Sequence, residues 1–164
     1  MLTREQFLPH EMRIVAALRI QGASDEQVIV CVKSENLFQY PTERMVANRA
    51  TVCLRRLDAM VPTDAACAAR GIDPNTAVEA ASSLTSLMAS GTPTQADQAI
   101  FYSMICRYDI VRELVLVEVG ERLQNFDYAF TAVDLNAFMT RFTTEYPDAA
   151  RWTESTVTRI KGSL

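Results

Sequence analysis

A chain of 164 residues, 49% apolar and 22% charged, has a globular composition and the length of one ordinary domain or two small helical ones. Disordered, collagen-like and coiled-coil classes are excluded. So is a membrane-spanning protein, because no stretch approaches the roughly 18 apolar residues a span needs; the richest run, Ile110 to Val119, is broken by Arg112, Glu113 and Glu118. The net charge of −4 argues against a nucleic-acid binder at first sight, but the charge is uneven. Residues 1–62 hold eight basic and seven acidic groups, net +1, whereas residues 63–164 hold eight and thirteen, net −5.

In chain order the apolar periodicity is mostly helical. A first helix is predicted from Pro9 to about Arg19, with Met12, Val15, Ala16 and Ile20 on one face and Gly22 placed for a left-handed C-cap. Ser24 and Gln27 form a capping box for a second helix, whose apolar side is Val28, Ile29, Cys31 and Val32. Residues 34–40 make an irregular turn closed by Pro41. Thr42 caps a third helix to about Met60, with an apolar seam of Val46, Ala50, Cys53, Leu57 and Met60. Residues 63–72 are expected to be a linker. Asp73 and Pro74 start a fourth helix, rich in Ala and Ser, that runs to about Ser90 before Gly91-Thr92-Pro93 breaks the chain.

Thr94 is expected to cap a long stretch, Gln95 to Gln124, apolar on nearly all sides as a central buried helix would be, with Asp109 marking a break and recap. Leu114 to Val119 alternates with β-branched residues and would suit a strand; helix is preferred, because no turn signal flanks it and a lone strand has no partner. Thr131 and Asp134 form a capping box for a helix to about Tyr146, which Pro147 ends. Asp148 to Trp152 is a short helical turn, and Thr153 with Thr156, or Ser155 itself, opens a last helix carrying Arg159 and Lys161. Tyr102, Tyr108, Phe126, Tyr128, Phe130, Phe138 and Phe142 read as core or inter-helix packing. The fold class is therefore all-α, as two small helical bundles: residues 1–62, a linker at 63–72, and residues 73–164.

The third helix carries the clearest chemical pattern. Opposite its apolar seam lie Arg44, Asn48, Thr51 and Arg55, with Arg49 and Arg56 together on one flank, and no acid falls between Arg44 and Arg56. Three short helices with such an outer face match a helix-turn-helix arrangement. Arg grips phosphate or guanine, Asn pairs with adenine, and Thr touches phosphate or a thymine methyl. An ordinary solvated face explains the same residues, and Glu43 and Asp58 flank the patch. The stretch from Trp152 to Lys161, a Ser- and Thr-rich helix start followed by Arg and Lys, can hold a phosphate at a helix N-terminus; an ordinary capping box is the plain alternative.

Catalytic patterns are poor. There is no Gly-rich phosphate loop, no Gly-x-Ser-x-Gly elbow and no Cys/His/Asn spacing. The pairs Asp109/Glu113 and Glu118/Glu121 read as solvated faces. The four cysteines, Cys31, Cys53, Cys67 and Cys106, sit singly in apolar contexts, and the single histidine, His10, has no clustered ligands beside it, so neither metal nor cofactor is expected. Unpaired cysteines point to a reduced, cytoplasmic protein. Arg4, Glu5, His10 and Glu11 break up any signal-peptide core.

Several segments together resemble one family. Glu11-Met12-Arg13-Ile14-Val15-Ala16, Asn36-Leu37-Phe38-Gln39 and Arg49 to Leu57 are similar to the N-terminal half of the BrxA family. Ala96 to Tyr102, with Arg107-Tyr108-Asp109, resembles its central helix, and Trp152-Thr153-Glu154-Ser155-Thr156 its Trp-Ser-x-x-Thr signature. The resemblance covers most of the chain in order. It implies an all-helical, two-part accessory protein of bacteriophage-exclusion (BREX) defence, with helix-turn-helix-like features, that binds double-stranded DNA without catalysis. It also implies a chain that continues past the Trp152 to Thr156 helix, so only a partial helix-turn-helix is expected at the end. On this reading Arg44, Asn48, Thr51 and Arg55 face DNA, Arg49 and Arg56 support from the flank, and Arg151, Thr156, Arg159 and Lys161 form a second contact. Other phage-defence proteins are expected partners; a membrane and a small-molecule substrate are not. Two other readings remain: an adaptor that docks a defence-complex partner through the acidic half, and an RNA-binding, antiterminator-like bundle.

Overall fold

The structure, a computed structural model, describes residues 7–162, so Arg4, Glu5 and Leu164 lie outside the described residues. Every regular element among the described residues is helical. The helices are α1 (Pro9–Ile20), α2 (Asp25–Ser34), α3 (Glu43–Ala59), α4 (Asp64–Arg70), α5 (Pro74–Ser90), α6 (Pro93–Arg107), α7 (Asp109–Arg112), α8 (Gly120–Gln124), α9 (Ala132–Glu145) and α10 (Glu154–Lys161). A π-helical segment, Glu113–Val119, joins α7 to α8 without leaving helical backbone, so the β-branched run is helix, not strand. None of these helices is long and apolar enough to cross a membrane.

Local hydrogen-bond chemistry sets most helix starts. Ser24 Oγ accepts the Gln27 amide at 3.3 Å while Gln27 Oε1 accepts the Ser24 amide at 2.8 Å, closing the expected box. Thr42 and Thr153 accept the amides of Met45 and Thr156, and Asp73 that of Thr76. At α6 the cap is Thr92 rather than Thr94: its hydroxyl accepts the Gln95 amide at 3.3 Å, and Pro93, which has no N–H to lose, occupies the first turn. Gly22, at φ +86°, leaves α1 in the left-handed conformation expected of it.

The chain divides into two compact units, the first of which is Phe7–Arg107. The boundary thus falls at Arg107/Tyr108, not in residues 63–72, which hold α4. The reason is burial. α1 packs on α3 but most extensively on α5, and α6 packs on α1, α3 and α5. One core cluster accordingly joins Met12, Val15, Val28, Val32, Val46, Leu54, Leu57, Met88 and Ile100. Each such side chain removed from water contributes about 1.5–3 kcal/mol, so α1–α3 gain by staying with α5 and α6. Ile20, expected on the apolar face of α1, is 49% exposed in a groove it shares with Val61 and Val78.

The long stretch expected from Gln95 to Gln124 breaks where Asp109 was expected to mark it. α6 ends at Arg107, Tyr108 is extended at φ −118° and ψ +113°, and Asp109 begins α7. α6 is not buried on all sides: Ala96, Ala99, Ile100, Ser103 and Met104 face inward, while Phe101 and Tyr102 are exposed. In the second unit Phe138 and Phe142 are buried; Phe142 stacks on Tyr146 at 4.2 Å between ring centroids and meets Trp152 at 5.9 Å. Phe126, Tyr128 and Phe130, expected as packing residues, are exposed, because residues 125–131 form a turn outside the helices.

Candidate nucleic-acid interface

The start of α3 is positioned by the turn that precedes it. Asn36 adopts the left-handed conformation at φ +45°, which its short side chain tolerates. Its Nδ2 donates to the Tyr40 carbonyl at 3.0 Å, and its Oδ1 accepts the Tyr40 amide at 3.2 Å. Phe38, buried between α2 and α3 in sequence, meets Tyr40 edge-on at 6.4 Å. The Asn-Leu-Phe-Gln segment is therefore the fastener that turns α2 into α3.

At roughly 100° per residue, the buried side chains Val46, Ala50, Cys53, Leu54, Arg56 and Leu57 occupy one broad arc of α3. Arg44, Asn48, Thr51 and Arg55 fall within an arc of about 60° on the other side. Arg44, Asn48 and Arg55 are exposed, and Thr51 is half-buried with its hydroxyl donating to the Ala47 carbonyl at 2.9 Å. Nearby cations are already committed. Arg19 pairs with Asp25 at 2.6 Å and Asp58 at 3.3 Å, and Lys33 pairs with Glu43 at 3.1 Å. Among the described residues, no carboxylate pairs with Arg44 or Arg55.

The flank differs from expectation. Arg56 is 0% exposed and its Nη1 donates to the Phe7 carbonyl at 3.0 Å. It cannot support a phosphate. Its direction, about 80° from Val46 around the helix, lies inside the buried arc rather than beside it. Arg49 is half-buried. It acts electrostatically on Tyr40 and on Cys53. Tyr40 donates its hydroxyl to buried Glu11, and that bond, followed by partial burial, raises its pKa. Burial pushes the Cys53 thiol up to about 12, against the opposing pull of Arg56 and Arg49. Sequence reading missed this internal polar cluster, since Glu11 and Arg56 are 45 positions apart and only the packing of α1 on α3 joins them.

The second predicted group lies in the other unit. Arg151 is exposed in a 3-10 turn, and Arg159 is exposed on α10. Thr156 is half-buried, with its hydroxyl 3.0 Å from that of Thr153. Lys161 is half-buried and donates to Asn136 Oδ1 at 2.6 Å, tying α10 to α9. Trp152 lies against Phe142 just before the Thr153 cap, so the signature tryptophan anchors the start of α10. His10 is exposed, its Nε2 lying 3.3 Å from the Leu37 carbonyl. Among the described residues no three His, Cys, Asp or Glu side chains gather to hold a metal.

The BrxA family model matches residues 1–164, the whole chain. The chain belongs to the BrxA family. No curated protein and no solved structure matches it. Membership makes this BrxA-family chain an accessory protein of BREX phage defence, a family not known for catalysis. The segments that carry the family pattern are structural: Glu11, Phe38 and Trp152 hold the helices in place.

Proposed function

We propose that this BrxA-family chain is a nonenzymatic, double-stranded-DNA-binding protein that uses the outer face of α3. Its helix-turn-helix-like element would be α2 and α3, joined by residues 35–42. The observation that carries the reading is the straight row of Arg44, Asn48 and Arg55, exposed and, among the described residues, without carboxylate partners, beside cations that are paired. Arg44 and Arg55 stand about 16 Å apart along the helix. That separation suits phosphates at either side of a major groove about 12 Å wide, with Asn48 between them at the base edges. An A-form RNA duplex has a deep, narrow major groove that a helix cannot enter, so duplex DNA is the favoured substrate. Arg151 and Arg159 are the remaining exposed members of a second contact, which Thr156 and Lys161 hold in shape.

With so few unpaired cations, binding should be of modest affinity, steep in salt and weak in sequence preference. The test is titration of a labelled DNA duplex at several salt concentrations, with an RNA duplex as competitor. Salt-dependent binding that RNA does not displace supports the reading. Absence of binding at low salt would refute it and leave the adaptor role. Displacement by RNA would favour the antiterminator-like role.

A further inference from the structure

The π-helical segment Glu113–Val119 is an unusual way to continue a helix, since bonding from each residue to the fifth along is rare and occurs mostly as single turns. Here it spans seven residues, and the Gly120 amide still donates to the carbonyl of Val115, five positions back. The wide turn has a cause in three side chains that all bond to α9 or its end. The Tyr146 hydroxyl, just after α9, donates to the Glu113 carboxylate. Arg141 pairs with Glu118, whose side chain is 16% exposed. Arg122 Nη2 donates to Asp134 Oδ1 at 2.6 Å in the first turn of α9. The Nη1 of Arg122 fastens the turn after α8, donating to Asp127 Oδ2 at 2.6 Å and to the Ala129 carbonyl at 2.7 Å. The partners 146, 141 and 134 run in reverse order to 113, 118 and 122, as antiparallel segments require.

An uninterrupted α-helix could not make all three bonds. At about 100° per residue, Glu113 and Glu118 would stand about 140° apart and Glu113 and Arg122 about 180° apart, on opposite sides. A π turn takes more residues than an α turn, so the same three side chains are brought back toward one side. Leu116, between the two acids in sequence, is left 59% exposed. The segment is also weakly committed to either form, because Val115, Val117 and Val119 are β-branched and Gly120 follows them. We infer that residues 113–119 are a register switch. The bonds to α9 hold the π form. Opening the Glu118–Arg141 pair lets the segment rewind as α-helix, which turns Arg122 by roughly 100° away from Asp134 and frees the turn at residues 125–131. The pair is accessible from solvent through Arg141, whose side chain is 42% exposed.

Couplings across hydrogen bonds, measured by NMR on the full deuterated chain, name the carbonyl to which each amide bonds. In the wild type the Gly120 amide should couple to Val115. In Arg141→Gln the coupling should move to Leu116, four positions back, and the Ala129 amide, which donates to Asp127 Oδ1 at 3.1 Å, should lose its protection from hydrogen exchange. Glu145→Gln removes only the outer contact of Arg141, at 3.9 Å, and should leave the Val115 coupling in place. Deletion of Leu116 is the converse test. It sets Glu113, Glu118 and Arg122 at successive spacings of four, about 40° apart at each step, so a plain α-helix keeps every bond to α9 and the melting temperature should rise. A wild type whose Gly120 amide couples to Leu116, an Arg141→Gln chain that keeps the Val115 coupling, or a deletion that lowers the melting temperature would overturn the inference.

Discussion

Replacing Arg44 and Arg55 together by alanine removes two exposed guanidinium groups from the outer face of α3 and nothing from the core. Both side chains are exposed, and alanine is at least as good a helix former as arginine, so the fold and its melting temperature should be unaffected. Each neutralised phosphate contributes about −0.9 to the slope of log affinity against log salt. Loss of two contacts should therefore flatten that slope by about 1.8. Between roughly 50 and 200 mM salt the wild type should then lose about tenfold more affinity than the double variant. Fluorescence anisotropy on a labelled duplex at five salt concentrations measures this directly. Arg56→Met is the control. It removes a 0% exposed group that donates to the Phe7 carbonyl, so it should cost on the order of 1–3 kcal/mol of stability and leave the slope alone. If the double variant kept the wild-type slope while folded, the contact would not be on α3. If Arg56→Met flattened the slope without loss of stability, the division of α3 into a buried arc and a binding face would be wrong.

Other perturbations report on the structure around the candidate site. A Cβ at Gly91 would stand 2.5 Å from the Leu87 carbonyl oxygen and 3.3 Å from Gln95 Cβ. Gly91→Ala should therefore force the α5–α6 turn apart and cost about 1–3 kcal/mol, seen as a lower melting temperature; an unchanged one would contradict the geometry. Cys53 and Cys67 are buried, whereas Cys31 and Cys106 are half-buried, so a thiol reagent should modify the latter pair first and reach the former only in denaturant. The folded protein holds the Cys53 proton up to about 12, above the ordinary value of 9.0. The native state thus binds more protons in that window, and stability should fall as pH rises through it. Hydrogen bonds from the Thr131 hydroxyl and amide, with Arg122 nearby, hold the Asp134 carboxyl below its usual 3.8. Its contribution should be full above that value and lost as pH falls through the lowered one. Melting temperatures measured down the acid range should show that loss in the wild type and not in Asp134→Asn.

The parts of this protein legible in its sequence are those whose causes lie within a few residues. The boxes at Ser24 and Gln27 and at Thr131 and Asp134, the Asp73 cap and the glycine exit at Gly22 all form as the residues predict. A side-chain oxygen three residues from an unpaired amide needs no tertiary partner to find it. The outer row of α3 was legible for the same reason, because helical spacing alone puts Arg44, Asn48 and Arg55 opposite Val46. Thr92 displaced Thr94 as the α6 cap by a choice between two hydroxyls that spacing does not settle.

The all-helical class, most helix ends and the cation-bearing face of α3 thus follow from local sequence. How wide the buried arc of each helix is, and with it that Arg56 is internal while Arg55 is exposed, follows only from packing. Packing also decided that α5 and α6 belong with α1, placing the boundary at Arg107/Tyr108, and that Arg122 turns Phe126 and Tyr128 outward rather than into a core. The physical reason is one of range. Capping and helical phase are set by bonds spanning three or four residues, but burial depends on which distant helix arrives to cover a side chain.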